Sequence, residues 1–182
     1  MPRDFAPLLS ALAPSDRGSS DARAQAMRRF VDAAWPLLNP LGVSWIGFYT
    51  KALGIDGAAV SEMVLGPCRN KPACSPIGLH GVCGRGWLTR RSIIVRDVAS
   101  LGTNYVACDP KDRSELVIPL FHQGHCYGVL DRDSFDIGAF SEHDADQLQV
   151  ALLAMGLTEP GRFAGPTMVL LTDVQATRGA HR

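Results

Sequence analysis

The chain has 182 residues, 46% hydrophobic and 20% charged, which suits one domain with an apolar core and an ordinary surface. Its 18 Lys and Arg balance 18 Asp and Glu, which argues against the basic excess that nucleic-acid binding needs. No stretch approaches the roughly 18 apolar residues of a membrane span, and the N-terminus lacks the long apolar core of a signal peptide, so no membrane contact and a cytoplasmic location are expected.

Residues 1–17, rich in Pro and Ala, read as a short irregular arm or helix. Ser19, Ser20 and Asp21 offer N-caps. Behind them Met27, Phe30, Val31, Ala34, Leu37 and Leu38 recur at helical spacing, and Asn39-Pro40-Leu41-Gly42 stops that helix. Residues 43–49, dominated by Val, Trp, Ile, Phe and Tyr, read as a strand. Gly54, Asp56 and Gly57 mark a hairpin connection, and a second strand covers residues 62–65 and ends at Gly66-Pro67. Residues 68–81 form a long polar loop of the kind that carries function in a compact domain.

Val82–Thr89 reads as a short helix and Ile93–Val95 as a short strand. Residues 97–113 form a second loop. Residues 115–121 and 126–130 are strands joined by the hairpin His122-Gln123-Gly124-His125. Ser141 caps a helix running to about Leu157, with Ala145, Leu148, Leu152 and Met155 on one face. Residues 168–171 are suited to an edge strand, and a polar tail follows from Thr172. Strands framed by helices predict an α+β fold, a central antiparallel sheet with helices packed on it. The expected division is an N-terminal arm (1–18), one domain (19–158) and a C-terminal extension (159–182).

Five cysteines, Cys68, Cys74, Cys83, Cys108 and Cys126, cannot all pair within one chain. In a reducing compartment they are packing residues, metal ligands or redox catalysts. No Cys-x2-4-Cys pair occurs, so no metal site is expected; His80 and Cys83 alone make a weak signal. Cys108 lies in a polar loop with Lys111 and Arg113 just downstream, a setting that favours a thiolate. Cys83 begins a helix. Cys126, inside an apolar run, reads as a small core residue, and Cys68 is left open.

Asp131 and Asp133 stand two apart, so they share a face if the strand continues, and Glu115 can approach from the neighbouring strand. Three carboxylates in one pocket repel, and one then keeps its proton near neutral pH. Such an acid can protonate a leaving oxygen. Taken alone, residues 131–136 read more simply as a charged turn.

The ordered blocks Trp45-Ile46-Gly47-Phe48-Tyr49, Leu65-Gly66-Pro67, Ala73-Cys74, Gly81-Val82-Cys83-Gly84, Ala107-Cys108-Asp109, Ser114-Glu115-Leu116-Val117-Ile118-Pro119-Leu120 and Gly128-Val129-Leu130-Asp131-Arg132-Asp133-Ser134 resemble the free methionine-(R)-sulfoxide reductases, single GAF-domain enzymes. The resemblance implies a GAF-like fold and reduction of free L-methionine-(R)-S-oxide without a bound cofactor. It implies that Cys108 attacks the sulfoxide sulfur and becomes a sulfenic acid. Cys74 then resolves it to a disulfide, with Cys83 as a third pocket cysteine, and thioredoxin is the external reductant. It further implies that Glu115, Asp131 and Asp133 hold the substrate and polarise its S–O bond, that Trp45 and Tyr49 wall the methyl group, and that exposed helices pair as a homodimer. The chain departs from the family around Cys74, where Ala73-Cys74-Ser75-Pro76-Ile77 lacks the usual Arg, and before Cys108, where the Phe-x-Gly-His run is missing. The competing expectations are a non-catalytic small-ligand sensor and a thiol redox switch.

Overall fold

The computed structural model describes residues 3–12, 20–51, 61–105 and 108–170. Helix α1 (Ala6–Ala11) precedes the long helix α2 (Ser20–Leu38). Met27, Phe30, Val31, Ala34 and Leu38 of α2 are buried as their spacing requires, with Leu37 half-buried beside them. Ser19 and the connection at 52–60 lie outside the described residues.

Seven strands form one sheet: β1 (Trp45–Lys51), β2 (Glu62–Arg69), β3 (Ile77–Gly78), β4 (Ile93–Val95), β5 (Ser114–His122), β6 (His125–Ser134) and β7 (Met168–Leu170). Their order is β3-β2-β1-β6-β5-β4-β7. All neighbours run antiparallel except β7, which joins β4 in parallel. The expected antiparallel sheet is therefore mixed at one edge. The fold is the α+β GAF fold, with helix α3 (Val82–Thr89) on one face of the sheet and α1, α2 and α4 (Glu142–Ala154) on the other.

Several elements differ from expectation for local reasons. Strand β2 does not stop at Gly66-Pro67. Its register against β1 shifts between Gly47 and Tyr49, and a bulge of that kind accommodates a proline that cannot donate to the ladder. The loop expected over 68–81 is shortened at both ends, by β2 and by β3, which pairs Ile77 with Met63. The second loop contains a 3-10 segment, Val98–Asn104, capped by Asp97 accepting from Ala99 N at 3.1 Å. Strand β6 runs four residues past Leu130, so Asp131 and Asp133 are strand residues and not a turn.

The hairpin between β5 and β6 turns on Gln123 (φ 50) and Gly124 (φ 79), the paired left-handed geometry that matches strand twist. Ser141 and Asp144 close a capping box at the start of α4. That helix ends at Ala154, short of Leu157, because Gly156 turns left-handed (φ 69) and its N–H bonds Leu153 O at 3.0 Å. No described helix is long and apolar enough to cross a membrane.

The two faces of β6 carry opposite chemistry. Asp131 and Asp133 point to the α3 face. Arg132, between them, points into the apolar core under the other helices and is fully buried. None of its guanidinium nitrogens has a hydrogen-bond partner. Its nearest compensation is the Phe140 ring, 4.9 Å from Cζ to centroid, which Arg3 also overlies at 5.6 Å.

Candidate functional site

The sheet register assembles the site. Trp45 and Gly47 of β1 lie opposite Asp133 and Asp131 of β6, and Glu115 of β5 lies opposite Asp133. Directly opposed residues share a face, so these five positions and Tyr49, two residues beyond Gly47, look toward α3. Gly47 must lack a side chain, because an added Cβ would sit 2.2 Å from Cη2 of the Trp45 indole. Gly84 plays the same part in α3: its Cβ would meet the Leu79 backbone at 2.2 Å. That close approach seats Cys83 against the carboxylates.

The two β1 aromatics also hold the loop that carries Cys74. Trp45 Nε1 donates to Lys71 O at 2.8 Å, and Tyr49 Oη donates to Cys74 O at 2.8 Å. Leu65 N donates to Ser75 Oγ at 3.0 Å, pinning the same loop to β2. The rings lie 6.1 Å apart and form a tilted apolar wall.

Two hollows meet at Cys108. One is lined by Tyr49, Cys83, Tyr105, Cys108, Glu115 and Asp131 among others. The second is lined by Ser44, Trp45, Lys71, Cys108, Asp112 and Asp133 among others. Cys108 and Cys74 are exposed, whereas Cys83 is buried. Cys68 and Cys126 are half-buried and stand outside both linings; Cys126, at the start of β6, is thus less enclosed than a core residue.

Cys108 and Cys83 are not held as thiolates. Burial, and then the Cys74 thiol within hydrogen-bonding reach, push Cys108 up to about 12. The expected activation by Lys111 and Arg113 is absent for a geometric reason. Arg113 turns to Asp97 at 3.9 Å, and the charge of Lys111 falls on Asp109. Cys83 sits in the first turn of α3, where a helix normally favours a thiolate, but burial and then the charge of Asp131 drive it well above its ordinary value.

Burial favours the protonated form of Glu115 and Asp133 and leaves Asp131 poised between its two forms. Glu115 and Asp133 are raised well above the carboxylate range, first by burial and then by Asp131. Asp131 rises to about 7 through burial, opposed in part by the Cys83 thiol beside it and reinforced by the charge of Asp112. Among the described residues no basic side chain pairs with any of the three. Asp131 Oδ1 is buried without a partner. Sulfur of Cys83 and one oxygen each of Glu115 and Asp131 lie within 4.8 Å of one another, donors that could hold a metal ion.

Three site residues escaped the sequence reading: Tyr105, Asp112 and Ser44. The signal for Asp112 was legible. Asp109-Pro110-Lys111-Asp112 has the composition of a β-turn, and Asp112 N does bond Asp109 O at 3.1 Å. That turn brings Asp112 back beside Cys108.

Comparison with known proteins agrees with this architecture. A free methionine-R-sulfoxide reductase from Neisseria meningitidis, solved with its substrate, superposes with a TM-score of 0.63 at 32% identity over 72% of this chain and 74% of that one. The free methionine-R-sulfoxide reductase of Escherichia coli is 36% identical over 109 residues, 59% of this chain and 61% of that protein. GAF domain-containing protein A of Dictyostelium discoideum is 38% identical over 105 residues, 57% of this chain and 62% of that protein. The alignments with these last two thus span less than two thirds of their lengths. Residues 21–157 match the GAF domain family, three quarters of the sequence with strands β1 to β6 inside it, and the chain belongs to that family.

Proposed function

We propose that this GAF protein reduces free L-methionine-(R)-S-oxide to methionine. The observation that carries the reading is the position of the Cys108 sulfur, between a second reachable thiol and a buried set of proton-holding carboxyls. The likeness to reductases in Neisseria meningitidis and Escherichia coli supports it.

Cys108 Sγ attacks the sulfoxide sulfur. Its proton passes to an ionised carboxylate of the Glu115, Asp131 and Asp133 set, while a protonated member of the set donates to the sulfoxide oxygen. The hydroxyl passes from the substrate sulfur to Cys108 Sγ as the transient S–S bond breaks, so the substrate S–O bond is lost, methionine leaves, and Cys108 is left as a sulfenic acid. The Cys74 thiol then displaces that hydroxyl as water, and a Cys74–Cys108 disulfide forms. Two electrons from a thioredoxin dithiol reopen it by exchange. The raised carboxyls serve as acid and base without any net proton uptake in the first step. Trp45 and Tyr49 provide a flat apolar wall for the S-methyl group. Cys83, locked beside Asp131, is a second partner for the sulfenic acid.

The test is oxidation of NADPH in the presence of thioredoxin, thioredoxin reductase and the free sulfoxide. The R epimer is expected to support sustained turnover and the S epimer little or none. Thermal stabilisation by the sulfoxide without its consumption would instead identify a ligand-binding sensor.

A further inference from the structure

The pocket holds more acid than the reduction step uses. Asp112 is 5% exposed and lines the hollow on the Trp45 and Asp133 side of Cys108, whereas Glu115 and Asp131 line the other. Its described side-chain donor is the Ser44 hydroxyl, at 3.2 Å. The one lysine at that hollow, Lys71, is already committed to Asp109 at 2.6 Å. The walls around Cys108 therefore present Asp112, Glu115, Asp131 and Asp133 with no free cation among the lining residues, and Asp131 Oδ1 is buried with nothing to bond. Such a set lacks a positively charged donor, which a ligand can bring.

A sulfoxide placed with its oxygen toward Glu115 and Asp131 and its sulfur at Cys108 extends its far end into the Asp112 hollow. We propose that Asp112, held by Ser44, receives the α-ammonium group of the substrate and so selects a free amino acid over an N-acylated or peptide-bound one. This rests on the proposed reductase reading for the pose, but its chemistry is that of an ammonium site and can be tested without turnover. Burial lifts Asp112 to about 6 in the empty pocket, and an arriving ammonium favours its ionised form.

The experiment compares wild type with Asp112→Asn, which keeps the shape and the Ser44 hydrogen bond, and with Ser44→Ala. Calorimetric binding of L-methionine and N-acetyl-L-methionine is measured on the reduced full chain. Steady-state kinetics are measured with the free and N-acetylated R sulfoxides. Loss of a charge-assisted hydrogen bond weakens binding by about tenfold or more. Asp112→Asn is therefore expected to weaken L-methionine binding and raise KM for the free sulfoxide by about that factor, with kcat changed less. Handling of the N-acetylated ligands should not change, so the preference for the free form collapses. Ser44→Ala should move the same ratio by a smaller factor, and it carries the test alone if Asp112→Asn fails to fold. Turnover by wild type with an unaltered free-to-acetylated ratio in the variants overturns the ammonium assignment and leaves the reductase reading standing. Asp112-dependent binding of L-methionine without turnover does the reverse. Wild type that neither binds L-methionine nor turns over the sulfoxide overturns both.

Discussion

Cys108→Ser is expected to abolish reduction of free methionine sulfoxide, lowering kcat/KM on the order of 10³-fold or more. A serine oxygen fills nearly the same space but cannot form a sulfenic acid or a disulfide, so both chemical steps fail together. The side chain is exposed, and exposed substitutions away from special features usually change stability by within about 0.5 kcal/mol. Melting should therefore be almost unaltered while turnover disappears. Cys126→Ser is the matched control, since Cys126 lines neither hollow and its loss should leave kcat/KM within about twofold of wild type. Substantial turnover by Cys108→Ser, read in the same coupled assay, would move the nucleophile elsewhere.

The second large effect concerns stability. Arg132→Leu should make the protein more stable, by about 1–4 kcal/mol, seen as a rise of roughly 2–16 °C in Tm. The guanidinium is fully buried with all its nitrogens unpartnered. Its contact with the Phe140 ring offsets only part of that cost. Burial, and then the like charge of Arg3, push its pKa down to about 9, with Asp144 opposing. Leucine suits the neighbours, because the directly paired residues are Ile46 and Leu116. Urea denaturation at pH 7 measures the gap between variant and wild type. A less stable variant at neutral pH would mean that Arg132 has a stabilising partner.

Arg132 also shows where a sequence is informative and where it is not. Alternation put Asp131 and Asp133 on one face, and the strand register delivers both, with Glu115 opposite Asp133. The same alternation sends Arg132 to the other face, but alternation does not reveal that this face is the apolar one. Helices α2, α3 and α4 were legible because their apolar positions recur at 3.6 residues or their caps are strong. Strand β2 was cut short because Gly66-Pro67 reads locally as a terminator, whereas the tertiary bulge opposite Phe48 absorbs it. The Cys108 environment was misread for a related reason. Lys111 and Arg113 are close in sequence, but their charges are spent on Asp109 and Asp97, and the nearest thiol comes from a loop more than thirty residues upstream.

The proposed reduction turns on chemistry at one sulfur, and a single turnover measures it most directly. Fully reduced protein is mixed with one equivalent of free L-methionine-(R)-sulfoxide and no reductant, then methionine and remaining thiols are counted. The prediction is about one methionine per chain and the disappearance of the Cys74 and Cys108 thiols into one disulfide. Cys74→Ser should release the same methionine but leave Cys108 open to a sulfenic-acid trap, or joined to Cys83. All five thiols still titrating, with the sulfoxide intact, would contradict the account.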